Sequence, residues 1–317
     1  MRFALALTMT LSLAALGVQA AAPQLKTQAP GYYRLMLGDF EITALSDGTV
    51  DLPVDKLLTH AQPGEVGKAL QRAYQRAPLE TSVNGYLINT GAKLVLIDTG
   101  AAGLFGPTLG KLLLNLKAAG YSPEQIDEVY ITHLHPDHVG GLLADGKAAF
   151  PNAIVRFDQR DADYWLSAER LAQASGDEKS GFQGPQAAVK PYLDAGRLKP
   201  FSGGADGVEL VPGVRALPAP GHTPGHTVYL VESQGQKLAV WGDLMHVAAV
   251  QFPNPSVTIQ FDSDSKAAMP QRQKAYAAAA KGGYIVAVAH VSFPGLGRLR
   301  AEGKGYVWVP VNYSSKP

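Results

Sequence analysis

Cysteine is absent from all 317 residues. No disulfide can brace the chain, and no thiolate can serve as metal ligand or nucleophile. An excess of charge is absent too: 28 Lys and Arg stand against 27 Asp and Glu, with no basic run. Without a positive field to gather polyanions, no nucleic-acid partner is expected. Beyond residue 22 no stretch is long and apolar enough to cross a bilayer, so no membrane span is expected.

The one long apolar run is Ala4 to Leu16, interrupted by Thr8, Thr10 and Ser12. Arg2 precedes it, and small residues follow at Val18-Gln19-Ala20 and Ala20-Ala21-Ala22. A charged start, a short apolar centre and a small-residue end are the layout of a secretory signal peptide; the run is short for a membrane anchor. Residues 1–22 are therefore expected to be a signal peptide, cleaved after Ala20 or Ala22. The mature chain is expected in the periplasm or secreted. Removing the leader takes away a single charged residue, Arg2, and leaves the mature chain neutral. An exported chain without cysteine must be held by its core, by bound metal or by association. Residues 23–317 are enough for one large core.

Tyr32 to Leu37 and Phe40 to Leu45 read as strands across a Gly38-Asp39 turn. Val83 to Thr90 and Lys93 to Asp98 read as a second hairpin, its Leu94-Val95-Leu96-Ile97 run buried on both faces. Pro107 to Ala119 reads as a helix that Gly120 stops. Glu128 to Thr132 and Ala153 to Phe157 read as strands, and Asp161 to Ala172 and Pro185 to Ala195 as helices. Ser175 to Gly184, between those helices, reads as a polar loop. The second half follows a similar pattern. Val214 to Leu217, Thr227 to Glu232 and Lys237 to Trp241 read as strands, Ser265 to Lys281 as a helix, and Tyr284 to Ala289 as a buried strand. Hairpins and helices alternating twice predict an α/β sandwich, with two sheets inside and helices outside.

Three of the eight histidines fall within His133-Leu134-His135-Pro136-Asp137-His138. His133 and His135, two apart at a strand end, share a face. Pro136 forces a turn that can return Asp137 and His138 to a neighbouring point. His222 sits in a tight Gly/Pro loop before a strand, Asp243 follows the strand ending at Trp241, and His290 ends the strand from Tyr284. Rigid elements thus present each candidate at a strand end. Imidazole and carboxylate ligands without sulfur suit zinc, and also manganese, cobalt or iron. His226 reads as a structural hydrogen-bonding residue and His60 as a solvated one.

The H-x-H-x-D-H signature, the downstream Gly-His, the Gly-Asp after a strand and the final His after a strand resemble the metallo-β-lactamase superfamily. That resemblance implies an αββα sandwich with two divalent metal ions between its sheet edges. It implies one metal held by His133, His135 and His222, a second by Asp137, His138 and His290, and Asp243 as the bridge. Asp98, in Ile97-Asp98-Thr99-Gly100, matches the superfamily's first motif, a residue that orients a ligand. Ala29 to Arg34, Asp98 to Gly106, Ala248 to Phe252 and Asp262 to Ser265 are further similar to the methyl parathion hydrolase group. That group includes organophosphate triesterases and lactone or aryl-ester hydrolases such as dihydrocoumarin hydrolase.

Two divalent cations sharing a water can lower its pKa from about 15.7 toward 7, giving a hydroxide nucleophile without Ser or Cys. The same machinery serves a carbonyl and a phosphorus, so the pocket walls must choose. By resemblance those walls are Leu57, Phe105, Trp165, Phe182, His246 and Phe261, an apolar lining suited to an aryl group. His246 stands where the triesterase pattern has an aliphatic residue, Phe261 where it has Leu, and Leu57 where it has Arg. These departures favour a lactone or aryl ester as substrate, with phosphotriester hydrolysis as a side reaction. The alternative is a dedicated organophosphate triesterase; a β-lactamase or an iron-dependent sulfur dioxygenase fits less well. The strand from Tyr32 or the N-terminal arm offers a contact for a homodimer.

Overall fold

The computed structural model describes residues 22 to 316, so the expected signal peptide lies almost wholly outside the described residues. The first sheet contains β1 (Tyr32–Leu37), β2 (Phe40–Leu52), β3 (Leu79–Asn89), β4 (Leu94–Ile97), β5 (Glu128–Tyr130) and β6 (Ile154–Arg156), in that spatial order. β1 to β4 are antiparallel, whereas β4, β5 and β6 run parallel. The second sheet contains β7 (Val208–Val211), β8 (Val214–Pro218), β9 (Thr227–Ser233), β10 (Gln236–Val240), β11 (Ile285–Ala287), β12 (Leu296–Glu302) and β13 (Gly305–Pro310), again in order. Only its β10–β11 pair is parallel. The main helices are α1 (Leu112–Ala118), α2 (Gln159–Trp165), α3 (Gly176–Asp194) and α4 (Ser265–Gly282).

Strand alternation sorts the apolar residues into three layers. Ile42, Tyr86, Ile88, Val95 and Ile97 point from the first sheet onto Val214, Tyr229, Val231, Leu238 and Val240 of the second. The opposite face of the first sheet, with Leu87, Leu96, Val129 and Val155, packs on Leu112 and Leu116 of α1 and on Phe182, Val189 and Tyr192 of α3. The outer face of the second sheet, with Val228, Ala239 and Val286, packs on Tyr276 and Ala279 of α4. This is the expected order of helix, sheet, sheet and helix. β4 is buried along its whole length, as its unbroken apolar run requires.

Three expectations need correction. The helix expected from Pro107 begins only at Leu112. A bulge at Ser46–Gly48 in β2 turns Asp47 inward, where its carboxylate accepts the backbone N–H groups of Ala101, Gly110 and Leu112. Gly110 is left-handed, at φ +86°, which a helix cannot continue through. The helix expected over Asp161 to Ala172 is two helices, Gln159–Trp165 and Ala168–Gln173, with Ser167 capping the second. Ser175 to Gly184, expected as a loop, is the first half of α3. Pro185 lacks the N–H that its helical position calls for, yet burial of Phe182, Ala188, Val189 and Tyr192 carries the helix through. Among the described residues, no helix is long and apolar enough to cross a membrane.

Leu96 is fully buried between the first sheet and its helices. Leu96→Ala should cost about 2–5 kcal/mol, the usual effect of truncating an aliphatic side chain in a packed core. Urea unfolding of the metal-free protein checks this; a loss below about 1 kcal/mol would mean that the layer repacks.

Candidate metal centre

The expected ligands converge from four segments, three at the carboxyl ends of parallel strands and one in the loop that enters an antiparallel strand. β5 runs into His133, His135, Asp137 and His138; β10 runs into Asp243; β11 runs into His290; and the loop before β9 carries His222. Edges of this kind are where α/β sheets place ligands. One group comprises His133, His135, His222 and Asp243, and an adjoining one Asp137, His138 and His290.

Asp243 lies between them. Its Oδ2 is 3.2 Å from His222 Nε2 and 3.6 Å from His133 Nε2, and its Oδ1 is 3.1 Å from both His138 Nε2 and His290 Nε2. His290 Nε2 is also 3.3 Å from Oδ2, so the carboxylate lies between the two groups and meets nitrogens of both. Asp137 Oδ2 is 3.5 Å from the Nε2 atoms of His138 and His290. Gly242 makes the turn into Asp243 possible: it is left-handed, at φ +54°, and a Cβ there would lie 2.8 Å from the Thr132 side chain. Next to it, the Asp243 N–H donates to His226 Nε2 at 3.0 Å, while His226 Nδ1 meets the Ala219 carbonyl. His226 is thus the expected structural residue; burial, with the charge of His222 beside it, lowers its pKa to about 3.

The outer ring nitrogens are held by oxygen. His138 Nδ1 contacts Asp98 Oδ2 at 2.8 Å, His222 Nδ1 contacts Asp262 Oδ1 at 2.9 Å, and His290 Nδ1 contacts the Ser82 carbonyl at 2.9 Å. The Thr132 hydroxyl donates to Asp98 and lies 3.1 Å from His133 Nδ1, from which it can accept. Each contact fixes the tautomer that turns an Nε2 lone pair inward. Buried His133 Nε2, His138 Nε2 and Asp243 Oδ1 have no hydrogen-bond partner. Convergent lone pairs without donors are what a divalent cation satisfies, so the donor set fits metal ions.

Of the expected pocket residues, Phe105, Trp165, His246 and Phe261 line a cavity of about 790 Å³ that opens onto His135, Asp137, Asp243 and His290. Two do not line it. Phe182 is buried behind Trp165, ring centroids 5.0 Å apart. Leu57, at the end of the short helix Val54–Leu57, packs in a side cluster with Val66, Val257 and Ile259. In their place Val50, Leu52 and Leu104 form the wall, with the small side of α3 at Gly181, Gly184 and Ala187. His246 stands closer to the metal groups than a wall residue need, its Nε2 3.0 Å from Asp243 Oδ2. Sequence reasoning assigns no role to the carboxylates of Asp262 or Asp161. Asp262 meets His222 from 40 residues away, a separation with no periodic signal.

Comparison with known proteins agrees with this geometry. The Metallo-beta-lactamase superfamily model matches residues 79–290. The chain belongs to the metallo-β-lactamase superfamily. Within it, the crystal structure of the hydrolase AbOPH is similar at 38% identity and a TM-score of 0.85, over 91% of this chain and 100% of that one. AidC, described as a dizinc quorum-quenching lactonase, is similar at 28% identity and a TM-score of 0.81, over 90% of this chain and 99% of that one. An N-acyl homoserine lactonase from Bacillus sp. is 30% identical over 175 residues, 49% of this chain. The match spans only 60% of that lactonase's length.

The outer contacts and the charges both have measurable consequences. Asp262→Ala frees His222 Nδ1 and should weaken metal affinity by about 10–100-fold, read by competition with a chelator. In the metal-free protein burial lowers the pKa of His222, but Asp243 and Asp262 outweigh it and raise the value to about 9. A proton on that ring competes with metal, so apparent affinity should rise with pH until His222 deprotonates near 9. Loading metal at about pH 7 in weak buffer should release protons to an indicator dye; no release would contradict this protonation state.

Proposed function

We propose that the chain is a metal-dependent hydrolase that cleaves lactones and aryl esters, with phosphotriester hydrolysis as a side reaction. The observation that carries this reading is the apolar cavity ending on Asp243, the carboxylate shared by both ligand groups. In this reading His133, His135 and His222 would hold one divalent ion and Asp137, His138 and His290 another, with Asp243 available to both. Two zinc ions bound there would lower the pKa of a shared water toward about 7 and polarise the substrate's carbonyl or phosphoryl oxygen. Asp98 and Asp262 keep His138 and His222 in register. Phe105, Trp165 and Phe261 exclude water and pack against a flat ring. His246 fills the space beside Asp243 that a tetrahedral phosphotriester would need.

The lactonase descriptions of AidC and of the Bacillus sp. relative support the lactone side. The residues shared with the methyl parathion hydrolase group support the triester as the second substrate. The expected signal peptide would place the activity in the periplasm or outside the cell.

The test is kcat/KM for dihydrocoumarin, N-hexanoyl homoserine lactone and methyl parathion with zinc-loaded protein. A lactone should exceed the triester by at least roughly tenfold; the reverse order would make this a dedicated organophosphate hydrolase. His246→Leu should shift that ratio toward the triester by roughly tenfold, the scale of a change in pocket shape. His133→Ala and Asp243→Asn should lose activity together with metal, and full turnover in either would contradict the ligand assignment.

A further inference from the structure

Asp161 is fully buried on α2, in a helix that contributes no metal ligand. Its carboxylate has three donors. Oδ2 accepts the Leu134 N–H at 3.0 Å and the Thr223 hydroxyl at 3.0 Å, and Oδ1 accepts the Gly225 N–H at 2.6 Å. Leu134 lies between His133 and His135; Thr223 and Gly225 follow His222. The two loops that present these three histidines are therefore joined through one side chain. The fit is tight: a Cβ on Gly225 would lie 2.6 Å from the Asp161 backbone nitrogen. One turn further along α2, Trp165 meets the His135 ring edge-on with centroids 5.2 Å apart. Residues four apart share a helix face, so the same face that joins the loops also braces His135.

We infer that Asp161 is a positioning residue for the metal group of His133, His135 and His222, setting the separation of the two loops that carry them. The inference rests on the metal-binding reading above. A bare fold gains little from an ion here: burial is the largest influence on Asp161 and raises its pKa to about 6, against the pull of its three donors. Those donors lie next to His133 and His135 on one loop and next to His222 on the other, all three members of one metal group. Asp137 and His138 follow on the Leu134 segment, but His138 is also held by Asp98 and His290 by the Ser82 carbonyl, contacts in which Asp161 takes no part. Loosening Asp161 should therefore loosen one metal and spare its neighbour. Asparagine can keep the contacts to Leu134 and Thr223, but its NH2 then faces the Gly225 N–H, donor against donor. The His222 loop should give way first.

The test follows chelator-driven zinc release from the zinc-loaded full-length protein, resolved into its two metals, for wild type, Asp161→Asn and Thr223→Val. Thr223→Val keeps the shape and removes one donor, so it carries the test should Asp161→Asn fail to fold. The expected result is two zinc ions in wild type and one ion released at least roughly tenfold faster in Asp161→Asn. The second ion should stay within about twofold of wild type, with a smaller change of the same kind in Thr223→Val. Release of both ions at equally raised rates would show a general structural role and overturn the inference, as would wild-type release in both variants. A wild type that binds no zinc would overturn the metal-binding reading itself, and this inference with it.

Discussion

The site depends on one buried carboxylate. Asp243 is 3% exposed, and its oxygens lie 3.0–3.6 Å from ring nitrogens of His133, His138, His222, His246 and His290. A charge so enclosed needs a counter-charge. Protons on the imidazoles can supply only part of it, because two neighbouring imidazolium ions repel as strongly as either is attracted: about 4 kcal/mol at about 4 Å for an effective dielectric near roughly 20. The histidines accordingly divide. His138, His222 and His290 are raised by their carboxylate neighbours against the effect of burial, whereas burial keeps His133, His135 and His246 low. Divalent cations bound there would remove the conflict. They would neutralise Asp243 and Asp137 while leaving every imidazole neutral, which is the state in which it binds metal.

That requirement shapes the sandwich around it. No single strand could bring these groups to one point, since alternate side chains leave a strand on opposite faces. The chain instead draws them from the ends of β5, β10 and β11 and from the loop before β9, across the seam between the sheets. The apolar interior formed by Tyr86, Val95, Tyr229 and Val240 fixes the spacing of the sheets, and hence of the loops. Buried carboxylates then fasten individual loops: Asp98 to His138, Asp262 to His222, and Asp47 to the segment that carries Leu104 and Phe105.

Much of this is legible in the sequence where one segment carries its own signal. The His133–His138 cluster, the apolar run of β4 and the Gly38-Asp39 turn all report local geometry, while the grouping of the ligand candidates comes from the resemblance to the superfamily. What is not legible is non-local. Asp262 lies in a segment of family resemblance and Asp161 at a helix start, but neither carries a role in the sequence; only the fold brings them to His222 and to Leu134 and Thr223. The start of α3 is hidden for a different reason. Gly181, Gly184 and Pro185 have poor helix propensity, and burial of Phe182 and Tyr192 overrides it. Phe182 is expected at the pocket wall by resemblance, which does not tell which of two packed rings faces the cavity.

That hidden helix bears on substrate choice. Where α3 faces the cavity it offers Gly181, Gly184 and Ala187, so its backbone approaches the space that larger side chains would fill. A Cβ on Gly184 would lie 3.2 Å from Leu104. The α3 side of the cavity is thus lined by small groups, and at its inner end His246 lies 3.0 Å from the Asp243 carboxylate with the Phe261 ring 6.0 Å from the imidazole, centroid to centroid. A tetrahedral phosphotriester needs room at the reacting centre, whereas a lactone presents a flat carbonyl there and needs room further out. Under the proposed function, the distribution of volume along the cavity, more than the ligand set, is therefore what would discriminate between the two chemistries.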